Sequence, residues 1–191
     1  MYHVTLTDYE EARCRELGIQ RNLSCQERNA TPNKKDDGHS QEHNHILGVT
    51  GEYVMLKALG IGGFDDINTV GRDPDGDITF PNGEKMEVKN TNREGLNFII
   101  AGDKPGGVFD APYGGLVWPL KASGQYGVIG WCGRDEYLEN SRKVDETTRP
   151  KMPKPCWLME WEKLHPLSEL PIHLFRYELT RWSTYLHGDN P

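Results

Sequence analysis

No stretch of this 191-residue chain stays apolar long enough to span a bilayer, so no membrane role is expected. Cysteine is sparse and dispersed: Cys14, Cys25, Cys132 and Cys156 form no Cys-x-x-Cys pair. Neither a disulfide framework nor a zinc ribbon is favoured, and all four read as reduced thiols. Positive charge is also in deficit, with 22 Lys and Arg against 29 Asp and Glu and a formal net charge of -7. That balance argues against nonspecific coating of nucleic acid, but it leaves room for a local basic surface beside an acidic site. The opening MYHVTLTDYEEA lacks the basic and apolar regions of a signal peptide, so a cytoplasmic location is expected. The glycine-rich GDKPGGVFDAPYGG lacks the Gly-Lys-Ser/Thr ending of a phosphate-binding loop. Internal repeats and heptads are lacking too.

What remains is a composition of 36% hydrophobic and 27% charged residues, suited to one α/β domain over 1–191. Tyr2 to Leu6 alternates like a strand, and Thr7 to Glu10 has capping-box spacing for a helix that Gly18 would stop near Leu17. The chain from Ile19 to Ser40 is polar, and 29–45 is expected to be a loop. Ile46, Val49, Tyr53, Leu56 and Leu59 then recur at helical spacing, ending at Gly60. Strands are expected at Asp65 to Val70, Asn97 to Ala101, Gly115 to Leu120, Tyr126 to Cys132 and Cys156 to Trp161. A short helical turn at Arg134 to Glu139, a basic loop over 142–155 and a closing helix after Pro171 complete the pattern.

The most informative stretch is GRDPDGDITFPNGEKMEVKN, beginning at Gly71. Two strand-like runs flank Pro81-Asn82-Gly83. With a three-residue loop, Pro81 presets a type I turn, Gly83 takes the left-handed position, and Asp77 pairs with Glu87. Asp77, Thr79, Lys85, Glu87 and Lys89 then share one face, while Ile78, Phe80, Met86 and Val88 share the other. Two carboxylates about 4 Å apart at an effective dielectric near 20 repel by ~4 kcal/mol, so positive charge must sit close by. A divalent cation such as Mg²⁺ would supply it, and Lys89 could then hold the attacking water. The plainer alternative is a salt ladder in which Lys85 and Lys89 neutralise the acids.

Glu52 lies at the margin of the helical stripe between Gly48 and Gly51 on one side and Tyr53 on the other, and could bring a third acid to the hairpin. Asp73 and Asp75 are rival ligands with turn roles favoured. His39, His43 and His45 form the histidine cluster, a weak zinc candidate without a further ligand at a familiar spacing. Asn90 and Arg93, at the exit of the hairpin, are suited to nucleic-acid contacts. Arg142, Lys143, Arg149, Lys151 and Lys154 give the 142–155 loop the best electrostatic footprint for a phosphate backbone.

Glu52 on a Gly-Glu helix, Asp77 opening a strand, Glu87-Val88-Lys89 on the next strand, and then further strands together resemble the PD-(D/E)xK nuclease superfamily, in particular small phage and bacterial members. The match spans roughly residues 46–132. The superfamily's Pro-Asp is here Gly76-Asp77. The resemblance implies a restriction-endonuclease-like mixed sheet flanked by helices and a Mg²⁺- or Mn²⁺-dependent endonuclease acting on DNA. Asp77, Glu87 and the Val88 carbonyl would bind the metal, Glu52 would support its shell and Lys89 would position or activate water. Cutting two strands would call for a homodimer, although no interface stripe marks one. If the protein is phage-encoded, its place would be the host cytoplasm. The competing expectation is a noncatalytic nucleic-acid-binding domain on the same scaffold.

Overall fold

The structure, a computed structural model, describes residues 1–28, 40–70, 76–102, 110–144 and 155–176. It is a mixed α/β domain. A five-stranded sheet contains β1 (Tyr2–Thr5), β2 (Ile78–Thr79), β3 (Lys85–Asn90), β5 (Tyr113–Pro119) and β6 (Gln125–Gly133), in the order β1-β6-β5-β3-β2. Among its described strands, only the β3–β5 pairing is parallel. A second, antiparallel sheet holds β4 (Phe98–Ala101), β7 (Arg142–Val144) and β8 (Cys156–Met159), in the order β4-β8-β7. The helices are α1 (Asp8–Glu27), α2 (Gln41–Leu59) and α3 (Arg134–Asn140).

Alternation along β5 explains the two cores. Val117 joins Leu17, Val49, Val54 and Met55 of α1 and α2 on one face of the large sheet. Leu116 and Trp118 point the other way, joining Phe98 and Met159 of the small sheet and Tyr137 of α3.

The capping box forms as expected: Glu10 N–H donates to Thr7 Oγ1 at 3.3 Å, and Thr7 N–H donates to Glu10 Oε2 at 2.7 Å. The same carboxylate accepts from Lys57 Nζ at 2.7 Å and from the Tyr53 hydroxyl at 2.8 Å, tying the start of α1 to α2. Burial works to raise its pKa, but Lys57, Thr7 and Tyr53 outweigh it and hold Glu10 down at about 2.

Gly18 does not stop α1; the helix runs on to Glu27. A Cβ at Gly18 would stand 2.6 Å from the Ile46 Cα, so glycine serves close crossing of α1 and α2 rather than termination. Gly18→Ala is therefore expected to destabilise by about 1–3 kcal/mol through overpacking, despite a helix-propensity gain of roughly 1 kcal/mol. A higher urea midpoint for the variant would show that the helices yield without cost.

Other expectations also change. Residues 41–45 are helical, because Ser40 caps α2 by accepting from His43 N–H at 3.1 Å; 29–39 lie outside the described residues. At its far end α2 stops at Gly60 as anticipated, with φ +66°. The run from Asp65 to Val70 forms no strand: Phe64–Asp66 is a 3-10 turn and the rest is irregular. The supposed basic loop begins as strand β7, since Val144 is buried among Cys156 and Leu158; residues 145–154, including Arg149, Lys151 and Lys154, lie outside the described set. After Pro171 the chain begins with the 3-10 turn Ile172–Phe175, and the rest of the expected closing helix, 177–191, lies outside the described residues.

Candidate metal centre

The hairpin adopts the three-residue loop. Gly83 N–H donates to Phe80 O at 2.9 Å, Phe80 N–H to Glu84 O at 2.8 Å, and Gly83 has φ +89°. Ile78 faces Met86 and Thr79 faces Lys85, the register of the three-residue loop, but the paired ladder ends there: Asp77 N–H turns to Met86 O, so Asp77 sits at the shifted end of the ladder and not directly opposite Glu87 as expected. Ile78, Phe80, Met86 and Val88 enter the helix-side core. Glu87 and Lys89 therefore project from the opposite face, and Lys89 pairs in register with Leu116.

Strand β2 is only two residues long, so among the described residues the edge of β3 beyond Met86 has no strand beside it. Asp77 takes that place. Its backbone N–H donates to Met86 O at 2.9 Å, and its Oδ2 accepts from Val88 N–H at 2.8 Å. Since the N–H and C=O of one strand residue point to the same side, the Val88 carbonyl also faces this open edge.

From the helix side comes Glu52, which is only 3% exposed. Helix α2 can lie this near because Gly51 is against β3: a Cβ there would meet the Asn90 Cβ at 2.5 Å. Asn90 Nδ2 donates to Leu47 O at 2.9 Å and fastens the helix to the strand. Asn90 thus packs inward, at odds with the nucleic-acid contact expected of it.

Each neighbouring acid has a basic partner. Lys89 Nζ donates to Glu87 Oε1. Arg21 meets Glu52 through two parallel bonds, Nη1 to Oε1 and Nη2 to Oε2, both 2.6 Å, while its Nε donates to Asn68 O at 2.7 Å. Among the described residues, the Asp77 carboxylate has no bonded cation and accepts from the Val88 amide. Burial, then the charges of Glu52 and Glu87, push the Asp77 pKa from 3.8 up to about 7, against the pull of Lys89 and the Val88 N–H. Burial would lower the Lys89 pKa, yet Glu87 and Asp77 outweigh it and raise the value.

This gives a pH prediction with a definite sign. Between 3.8 and about 7 the folded chain holds a proton on Asp77 that the unfolded chain has released. This residue's contribution to stability therefore falls as pH rises through the window. Thermal unfolding of the metal-free protein should show that fall, and Asp77→Asn should flatten it. Equal pH slopes for the two proteins would refute it.

The charges of Glu52 and Glu87 act on Asp77, and these three carboxylates with the Val88 carbonyl are hard oxygen donors, the chemistry that suits Mg²⁺ or Mn²⁺. Among the described residues, no group of at least three Asp, Glu, His or Cys side chains is already disposed as a metal cage. That agrees with Glu52 and Glu87 being engaged by Arg21 and Lys89.

The remaining expected site residues are spread out. Arg93 is exposed on the turn after β3, and Arg142 and Lys143 are exposed on β7 of the other sheet. Lys151, Asp73, Asp75 and His39 lie outside the described residues. His43 and His45 lie on α2; burial, then Arg21, lowers the pKa of His45.

Arg21 is the residue that sequence reasoning missed. The signal was present: Cys14, Leu17, Arg21 and Cys25 continue one helical stripe through Gly18. Reading glycine as a helix stop hid it.

No family model, curated protein or solved structure matches this chain. No described helix is long and apolar enough to cross a membrane.

Proposed function

We propose that the protein is a divalent-metal-dependent endonuclease that hydrolyses DNA phosphodiester bonds, on a restriction-endonuclease-like version of its mixed α/β fold. The observation that carries this reading is the excess of acid at the hairpin edge: among the described residues, Glu52 is paired with Arg21 and Glu87 with Lys89, while Asp77 has no bonded cation. Asp77, Glu87 and the Val88 carbonyl would hold Mg²⁺ or Mn²⁺. When bound, the ion would polarise a phosphoryl oxygen and lower the pKa of a water molecule. Ion binding to Glu87 would free Lys89 Nζ to hold the attacking water or meet charge on the phosphoryl group. Arg93, Arg142, Lys143 and Lys151 are proposed backbone contacts, and a homodimer would provide two sites for double-strand cutting.

A second reading, a noncatalytic DNA-binding domain, is favoured by the Lys89–Glu87 and Arg21–Glu52 pairs, which already neutralise two acids without metal. The two readings separate on a panel of supercoiled, branched, linear duplex and single-stranded DNA incubated with Mg²⁺, Mn²⁺ or chelator. The nuclease reading expects cutting that chelator stops. The other expects salt-dependent binding and intact DNA throughout.

A further inference from the structure

The Arg21–Glu52 pair is more than a surface bridge. The side chains are 12% and 4% exposed, respectively, and the guanidinium spans both carboxylate oxygens. It is anchored a third time through Asn68 O. The pair lies over Gly48, where a Cβ would be in ordinary contact, 3.7 Å from Arg21 Nη1 and 3.8 Å from Glu52 Oε1. A planar fork pre-set in this way holds a carboxylate far more rigidly than a lysine would. Yet Asp77 and Glu52 are close enough to repel one another appreciably. Glu52 thus stands beside the open edge of β3 with its oxygens turned to Arg21.

We propose that Arg21 is a positioning residue of the cation site: by occupying both oxygens of Glu52 it confines the site to Asp77 and Glu87 and weakens divalent-cation binding. The inference rests on the metal-dependent reading above. Removing Arg21 frees a third carboxylate and subtracts one positive charge from the same neighbourhood. Both changes tighten cation binding. A merely structural Arg21 would alter folding stability and leave affinity at the intact site unchanged or reduced.

The test is Mn²⁺ binding to the full chain, followed by calorimetry and by the paramagnetic signal of free Mn²⁺. Arg21→Gln is expected to bind Mn²⁺ about ten-fold more tightly than the parent chain. Arg21→Gln combined with Glu52→Gln should lose that gain. Mn²⁺ should also raise the Tm of Arg21→Gln more than that of the parent. Should Arg21→Gln fail to fold even with Mn²⁺, Arg21→Lys decides the matter, since it keeps the charge but loosens the two-point grip; roughly two- to five-fold tighter binding is expected. Equal or weaker Mn²⁺ affinity in the folded Arg21 variant overturns the inference and leaves the metal site standing. Absence of Mn²⁺ binding in the parent and in every variant overturns both together.

Discussion

Glu87→Gln is expected to reduce Mg²⁺-dependent DNA cleavage by at least about 10²-fold while leaving the melting midpoint unchanged or raised. The two halves of that expectation come from the same geometry. Glu87 is near enough to Asp77 for its charge to act there and would lend an oxygen to the cation, so its amide variant removes a charged ligand. Its charge also raises the Asp77 pKa, and losing it relieves repulsion at a partly buried carboxylate. Lys89→Ala should lose cleavage to a similar degree but with lower stability, since Glu87 and Asp77 would then lose a neighbouring cation. A purely structural role for the pair predicts stability changes and no cleavage in the parent chain. Cutting that persists in either variant would mean that another residue set, or a contaminant, does the chemistry.

Glu52→Ala is expected to cost about 3–5 kcal/mol of folding stability, far more than a dispensable metal-supporting acid would. It would strand the guanidinium of Arg21, 12% exposed, without the carboxylate that takes both of its Nη donors. Replacing both partners with apolar residues of similar size, Arg21→Met with Glu52→Leu, should recover most of the loss, because the penalty comes from one unpaired buried charge. Urea unfolding of the two single variants and the double variant measures the coupling. A loss below about 1 kcal/mol for Glu52→Ala would show that the clamp contributes little in solution, as exposed pairs often do.

Much of the site was legible from short-range rules. Pro81-Asn82-Gly83 specified a loop length, the loop length specified a register, and the register paired Ile78 with Met86 and turned Ile78, Phe80, Met86 and Val88 inward; the expected pairing of Asp77 with Glu87 gave way to a hydrogen bond from Asp77 N–H to Met86 O. Thr7 with Glu10 and Leu56 with Gly60 likewise marked helix ends through local hydrogen bonds.

Long-range packing was what local patterns concealed. Gly18 resembles a helix stop until Ile46 is known to lie against it, and only then does Arg21 reach Glu52. Asn90 reads as a polar residue at a strand exit until Gly51 brings α2 within contact and Leu47 O takes its amide. The same limit explains the Asp65 to Val70 segment, where Asn68 holds Arg21 through its carbonyl instead of pairing in a sheet. Charge pairing was legible only as an alternative, a salt ladder in which Lys85 and Lys89 neutralise the acids; the folded edge shows Lys89 turned back onto Glu87 while Asp77 takes the Val88 amide.

Mn²⁺ titration of the parent chain beside an Asp77→Asn, Glu87→Gln variant, with free Mn²⁺ read by electron paramagnetic resonance, puts the hairpin edge to the most direct trial. The parent should show a saturable site, tighter as pH rises through about 7 as Asp77 deprotonates, and the variant should show none. A parent that leaves all Mn²⁺ free, or a variant that binds as well as the parent, would contradict a cation site at Asp77 and Glu87.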